Sequence, residues 1–481
     1  MISAEDAARL RDWNERLDLA DSMLPMIGRL YRKHGVLTKI FGRVLINQSP
    51  VEIMKLHRFA QRVTGEELTV RDTFAVVRAL DELAPRGRLR LDVGKLTVRF
   101  RRSGEQDVLA FLKGELAAVE ETRLPSLERH QDVVLYGFGR VGRLVARILL
   151  DKVTEGQGLM LRAIVVRPGG EGDLVKRASL LRRDSVHGPF RGTINVDEER
   201  GCIIANGIAI QVIYAQRPEE VDYTKYGIER AVIIDNTGAW RDAEGLGRHL
   251  EAPGAARVLL TAPGKGALPN VVYGINHDSI TDDDRILSAA SCTTNAIVPV
   301  LKVIDDRFGI AHGHVETCHA YTNDQNLIDN FHKKARRGRG APLNMVLTET
   351  GAAKAVAKAL PKLAGKLTGN AIRVPTPNVS LAVLSLQLNE ETTVEALNES
   401  LREESLDGEL QLQLDFSYSP DAVSSDFVGN GHASIIDAPS TIVDGKNAVV
   451  YVWYDNEHGY SAQVVRLVER ISGLRPPTFP R

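Results

Sequence analysis

The chain has 481 residues, enough for two or three domains that each bury a core. Its 61 Lys and Arg against 62 Asp and Glu leave a formal net charge of −1, which gives no general electrostatic case for nucleic acid or an anionic membrane. Three cysteines cannot form a disulfide framework and suit a reducing cytosol, so a cytoplasmic location is expected. No apolar run approaches the ~18 residues of a membrane span, and the polar, acidic start lacks the pattern of a secretory signal.

Residues 1–84 read as helical, with Leu10, Trp13, Leu17, then Leu24, Ile27, Leu30 and Tyr31 at helical intervals. Ser49-Pro50 and Thr69 look like helix starts. Alternation at Leu89, Leu91, Val93, Leu96, Val98 and Phe100 predicts a β-hairpin turning near Gly94-Lys95, and a further helix runs from Val108 to Glu121. Arg29, Arg32, Lys33, His34 and Lys39 form a basic cluster, read as a solvated helix face. This segment carries no catalytic constellation. It reads as a mainly helical extension over residues 1–125, with self-association or partner docking as its expected use, and Leu124-Pro125-Ser126 marks its end.

Asp132–Tyr136 then reads as a buried strand that runs into Gly137-Phe138-Gly139-Arg140-Val141-Gly142 and a helix over Leu144–Leu150. A Gly-x-Gly-x-x-Gly between a strand and a helix is the context of a dinucleotide site. The glycines permit a tight turn and bring a pyrophosphate close to the helix N-terminus. Further strands at Leu161–Val166, Ala231–Asp235 and Ala256–Leu260 alternate with helices, which predicts a Rossmann-type doubly wound parallel sheet, α/β in class. Alternating strands at Ser380–Leu388 and Ala448–Trp453 predict a mixed sheet in an α+β second half, and Ser461–Ile471 reads as a closing helix.

Ser291-Cys292-Thr293-Thr294-Asn295 delivers a thiol to the start of a helix, where free N–H groups and the dipole favour thiolate. This stretch resembles the active-site signature of the phosphorylating glyceraldehyde-3-phosphate dehydrogenase family, bacterial type. Other stretches match in the family's order: Gly137–Arg143, Asp184–Gly188, Asn236–Gly238, His319–Gln325, Thr350–Val356, Arg373–Ser380 and Trp453–Tyr460. The resemblance covers about residues 130–475 and implies a Rossmann domain over 130–291, completed by a helix at about 459–475, and a catalytic domain over 292–458.

It also implies roles. Cys292 would be the nucleophile and His319 its acid–base partner. Gly137, Phe138, Gly139, Arg140, Val141, Gly142, Thr237, Gly238, Thr261 and Asn456 would bind the cofactor. Thr322, Arg337 and Arg373 would hold the substrate phosphate, and Ser291, Thr293 and Thr350 the attacking inorganic phosphate. Where an NAD-specific member carries Asp after the second strand, this chain has Arg167, which repels no 2′-phosphate and implies NADP or dual use beside NAD. Asp324 fits the bacterial pattern, and Glu349 adds an anion near a phosphate site. Cys318 beside His319 would face the opposite side of a strand, a structural place. No metal site is read.

The implied reaction oxidises D-glyceraldehyde 3-phosphate through a Cys292 thioester that inorganic phosphate releases as 1,3-bisphosphoglycerate, in a homotetramer of glycolysis or gluconeogenesis. Two alternatives stand beside it: erythrose-4-phosphate dehydrogenase chemistry, or a non-catalytic binding role for the extension and the basic run at 332–339.

Overall fold

The computed structural model describes residues 3–65, 67–120, 130–153, 158–348 and 350–480. The boundary expected at Leu124-Pro125-Ser126 and the expectation about Glu349 lie outside those residues.

The chain forms two compact units. The first holds the described residues through Glu120 together with Gly158 and Gly473 onward; the second holds His130–Val153 and Leu159–Ser472. In the first, α1 (Ala4–His34) is capped by Ser3 and ends at Gly35, whose φ of +73° lets its N–H reach the carbonyls of Leu30 and Tyr31. The chain then leaves the helical path expected for residues 1–84. β1 (Val36–Ile40) turns through Phe41-Gly42, both at positive φ, into β2 (Arg43–Val44). Lys39, grouped in the sequence with a solvated helix face, sits buried in β1. Helices α2 (Pro50–Thr64) and α3 (Val70–Leu83) start at the residues expected, with capping boxes at Ser49 and Thr69.

The hairpin expected over 88–101 does not form. β3 (Leu89–Asp92) pairs in parallel with β1, and α4 (Val93–Ser103) follows at once. Asp92 decides this. One carboxylate oxygen accepts from Lys95 N and caps α4, and the two oxygens also take the N–H groups of Phe41 and Gly42. Helix α5 (Val108–Glu120) and a short strand, Thr478–Phe479, complete the unit; the latter extends the sheet to the order β2–β1–β3–(478–479). Its core joins Ala20, Met23, Ile27 and Leu30 of α1 to Val76, Val77 and Leu80 of α3 and to Val36, Ile40, Leu89 and Leu91 of the sheet.

The second unit contains two sheets. The first runs β11–β10–β9–β4–β5–β8–β7–β6, where β4 is His130–Tyr136, β5 Gly158–Val166, β6 Ile194–Asp197, β7 Cys202–Ala205, β8 Ile208–Tyr214, β9 Ala231–Asp235, β10 Ala255–Leu260 and β11 Ile286–Ser288. Pairing is parallel from β11 to β4 and for β5 with β8, while β7 and β6 close the far edge as an antiparallel hairpin. α6 (Arg140–Asp151) follows β4, and α7 (Asp173–Arg182) follows β5. The chain leaves β4 for neighbours on both sides, the switch point where such sheets bind nucleotides.

Between the sheets runs α9 (Cys292–Phe308), after a short α8 (Ala243–Gly247). The second sheet is mixed: β13 (Val346–Thr348), β14 (Leu367–Val374), β12 (Ile310–Ala320), β15 (Ser380–Leu388), β19 (Asn447–Tyr454), β17 (Ser434–Asp437) and β16 (Leu414–Ser417), with β18 (Ile442–Asp444) on β19. Ile297, Val300, Leu301 and Ile304 of α9 pack on Val315, Leu384, Val450 and Val452 of this sheet. α10 (Ala352–Ala359) and α11 (Val394–Leu406) flank it, and α12 (His458–Ile471) returns against α6.

Candidate active site

Cys292 is the first residue of α9. Ser291 caps the helix, its hydroxyl accepting from Thr294 N at 3.0 Å. Ala290 just before holds φ +56°, a strained value for a residue with a side chain, and Val379, just before β15, holds φ +63°. The Cys292 Sγ lies 3.5 Å from Nε2 of His319, 27 residues away at the end of β12.

The register of β12 with β14 then matters, because it pairs His319 with Arg373. The Arg373 guanidinium reaches His319 Nδ1 at 2.6 Å and donates to the Ala320 carbonyl at 2.9 Å. Burial, and then the Arg373 charge, pull His319 down to about 3. Burial pushes the Cys292 thiol up, against the opposing pull of Arg373. Tyr454 stacks edge-on to His319 at 6.0 Å, and its buried hydroxyl joins Thr293 at 3.0 Å and Thr317 at 2.7 Å.

Beyond Arg373 lies a cluster of groups suited to an anion. Asp324 takes the Thr322 hydroxyl and one Arg337 nitrogen, and Arg337 also reaches Thr348 at 3.2 Å. Burial works against ionisation of Asp324, but Thr322 and Arg337 outweigh it and hold its carboxyl below the usual range. Nε of Arg373, Nε of Arg337 and both side-chain polar atoms of Gln325 are buried without a hydrogen-bond partner. Thr322 and Arg337 thus meet at Asp324, and the Arg373 charge acts on the same carboxylate. The residues expected to hold an attacking phosphate are otherwise engaged: Ser291 with Thr294, Thr293 with Tyr454, and Thr350 with the N–H of Ala352 at the start of α10.

The residues expected to bind a cofactor, Asn456 apart, lie at the ends of β4, β5, β9 and β10. Gly137 (φ +93°) turns back so that its N–H bonds Val165 O at 2.9 Å. A Cβ on Gly142 would lie 2.7 Å from Gly137 O, so helix and strand pack at the glycine limit there. A Cβ on Gly139, the residue that opens α6, would meet nothing within 4 Å. That loop can admit a pyrophosphate to the helix N-terminus, and the fit to a dinucleotide is good. Phe138 is buried and Val141 half-buried beside it. The Arg140 guanidinium points elsewhere, clamped between Asp184 and Glu457. Thr237 is fixed through both N and Oγ1 to Asp235 at 2.7 Å, Gly238 follows at φ +61°, and Thr261 donates to the Asp235 carbonyl. Asn456 accepts from Ser380 Oγ, which in turn accepts from Ala320 N, so it is tied to the end of the His319 strand. Arg167 is exposed just after β5, and its carbonyl accepts from Arg177, which pairs with Asp173.

Three contributors escaped the sequence reading. Tyr454 lies in the matched run Trp453–Tyr460 but carried no expected role. The buried His249–Asp235 pair, 3.1 Å apart, sits under Thr237. His187 bridges Asp184, Asp455 and Glu457, although its motif had been noticed. Cys318 is half-buried in β12, on the face opposite His319, as expected.

A doubly wound sheet with a glycine-lined switch point, joined to a thiol–imidazole pair, defines an NAD(P)-binding dehydrogenase. The family model for the glyceraldehyde 3-phosphate dehydrogenase NAD-binding domain matches residues 131–243, and that for the C-terminal domain matches 291–456. A glyceraldehyde-3-phosphate dehydrogenase-like protein of Pseudomonas aeruginosa is 60% identical over 462 residues, which is 95% of this chain and 100% of that protein. A chloroplastic glyceraldehyde-3-phosphate dehydrogenase of Arabidopsis thaliana is 39% identical, covering 83% of this chain and 98% of its own. Glyceraldehyde-3-phosphate dehydrogenase 1 of Bacillus subtilis is 41% identical, covering 71% and 98%. The chain belongs to the glyceraldehyde-3-phosphate dehydrogenase family.

Proposed function

We propose that this enzyme oxidises D-glyceraldehyde 3-phosphate to 1,3-bisphosphoglycerate with NAD or NADP. The observation that carries the reading is Cys292 at the helix start, 3.5 Å from His319, beside a cluster of Arg337, Arg373 and Thr322. His319 takes the proton of Cys292, and the thiolate attacks the aldehyde carbon. The imidazolium so formed gives its proton to the hemithioacetal oxygen, and the neutral ring takes that proton back as the hydride leaves. Asn456 would hold the nicotinamide carboxamide, and the cofactor would supply the hydride acceptor. The resulting Cys292 thioester is cleaved by inorganic phosphate, held by Ser291, Thr293 and Thr350 once their hydroxyls turn outward. Arg373 and Thr322 hold the substrate phosphate.

Mixing enzyme, glyceraldehyde 3-phosphate and NAD without inorganic phosphate tests this. Intact-mass measurement is expected to find a 3-phosphoglyceryl adduct on Cys292 and none on the Cys292→Ser variant. An unmodified wild-type protein that still reduces cofactor overturns the covalent route. One observation favours a second reading, the thioester-hydrolysing erythrose-4-phosphate reaction: Thr293 and Thr350 are engaged within the protein rather than turned to a phosphate.

We read the second unit as a nucleotide domain over 130–291, completed by α12, and a catalytic domain over 292–458. Its assembly as a homotetramer is supported by the exposed Leu327, Ile328, Phe331, Leu343 and Met345 on the segment that carries Arg337. Cytoplasmic residence fits three free thiols. No described helix is long and apolar enough to cross a membrane.

A further inference from the structure

Asn456 lies in the turn between β19 and α12, flanked by the carboxylates of Asp455 and Glu457. Each flank is fixed by a residue from the nucleotide half. The Arg140 guanidinium donates to both oxygens of Glu457, one of them at 2.6 Å, and to both oxygens of Asp184 at 3.0 and 3.1 Å. A guanidinium has five N–H donors in a fixed fork, and these bonds engage four of them: one on Nε, one on Nη1 and two on Nη2. Arg140 is also the first residue of α6, directly after the glycine loop. On the other flank, His187 Nε2 lies 3.1 Å from Asp455, whose second oxygen accepts the N–H groups of Glu457 and His458. Asp184 joins the two arms, because it also accepts the N–H groups of Val186 and His187 at 2.9 Å. Arg140, Glu457, Asp455, His187 and Asp184 thus close a ring of contacts around Asn456.

We propose that Arg140 is a positioning residue that ties the dinucleotide loop to the Asn456 turn, so that one side chain sets the pyrophosphate end and the nicotinamide end of the cofactor site relative to each other. This rests on the reading that Asn456 holds the nicotinamide carboxamide. Arg140 does so without touching the cofactor. Its donors are committed to protein carboxylates, and the pyrophosphate is left to the backbone N–H groups at the start of α6. The role calls for a guanidinium, whose planar fork meets two carboxylates at once; a lysine ammonium is a point charge that cannot present two edges. The Asn456 side chain is held from elsewhere, since its oxygen accepts from Ser380 Oγ at 2.9 Å. The main chain of Asn456 is therefore placed by α6 and the turn at 184–187, and its side chain by the start of β15.

The test compares two ligands of the full chain by calorimetric titration: NADH, and ADP-ribose, which lacks the nicotinamide. The reduced cofactor is used because its nicotinamide ring is uncharged, so that losing a nearby carboxylate does not by itself change the attraction for the ring. The wild type is expected to bind NADH more tightly than ADP-ribose. Glu457→Gln and Arg140→Lys are each expected to lower that preference about fivefold, the worth of one neutral hydrogen bond, while ADP-ribose affinity stays within about twofold. Equal weakening of both ligands places Arg140 at the pyrophosphate end alone and overturns the proposal. An unchanged preference in the variants overturns it too, as does a wild type that does not favour NADH. If one variant fails to fold, the other decides. Turnover of glyceraldehyde 3-phosphate by the wild type is measured alongside. Turnover with an unchanged preference in the variants overturns the tie and leaves the proposed function standing; a lowered preference without wild-type turnover upholds the tie and overturns that function.

Discussion

His319 faces Cys292 through Nε2 and Arg373 through Nδ1. Two backbone facts create this arrangement. The β12–β14 register puts Arg373 alongside His319, and Ala320 O lies within reach of both. Arg167 follows β5, at the position the sequence assigns to the adenosine ribose, and the nearby Asp173 is paired with Arg177. Replacing Arg167 by Asp is therefore expected to shift the ratio of kcat/KM for NAD over that for NADP upward by about tenfold, one charge-assisted contact of ~1.5 kcal/mol. An unchanged ratio would show that Arg167 does not touch the 2′ position. Cys292 and His319 were legible because each sits inside a run of distinctive residues. The grip of Arg373 on His319 was not, since it depends on strands 54 residues apart finding one register. The inward turn of Thr293 was equally hidden, because sequence gives no sign that a tyrosine hydroxyl from β19 comes to meet it.

Elements that begin with a capping residue and follow one period were read well: α2, α3, β9, β15 and the strand–glycine–helix at β4–α6. The stretch over 88–101 was misread because its apolar residues satisfy both periods. Leu89 and Leu91 recur at strand spacing, Val93, Leu96 and Phe100 at helical spacing, and the fold buries every residue from Leu89 to Val98. The tie was broken by Asp92, a polar residue that ends one element and caps the next. The junction of β19 with α12 is a second such point. Asp455 accepts from the N–H groups of Gly429, Glu457 and His458 and from His187. Burial opposes its ionisation, but His187 and these N–H groups hold it down at about 2. Its folded value is below its unfolded one, so it stabilises above the ordinary carboxylate range, and that stability is lost as pH falls toward 2. His187 has the opposite sense. Burial lowers it but Asp455 and Glu457 prevail, so its contribution is present below its ordinary value and lost as pH rises past the raised one. Thermal melting of the Asp455→Asn variant is expected to show a loss of about 3 kcal/mol at pH 6, shrinking toward pH 2. An equal loss at both pH values would contradict the linkage.

At the scale of the molecule, every residue assigned to chemistry lies in the second unit, as do both family-model matches. The first unit has its own core and sheet, and the Pseudomonas aeruginosa relative aligns over 95% of the chain, so the extension belongs to a pattern that family-length relatives lack. Its sequence announced helices and a strand at Leu89–Leu91 but not β1 and β2, whose short length gives too few residues for a period to show. Removing residues 1–129 is expected to leave the cofactor-reduction rate per active site within about twofold, because no site residue is lost; under this reading the mass of the assembly is what changes. A lost rate at unchanged assembly would place the extension in the chemistry.

The most direct test of the account is the initial rate of reduced-cofactor formation from glyceraldehyde 3-phosphate with and without inorganic phosphate. A rate that requires phosphate, with an acyl phosphate as product, is the predicted result. An equal rate without phosphate, giving the free acid, would contradict the phosphorylating reaction and assign the site to thioester hydrolysis.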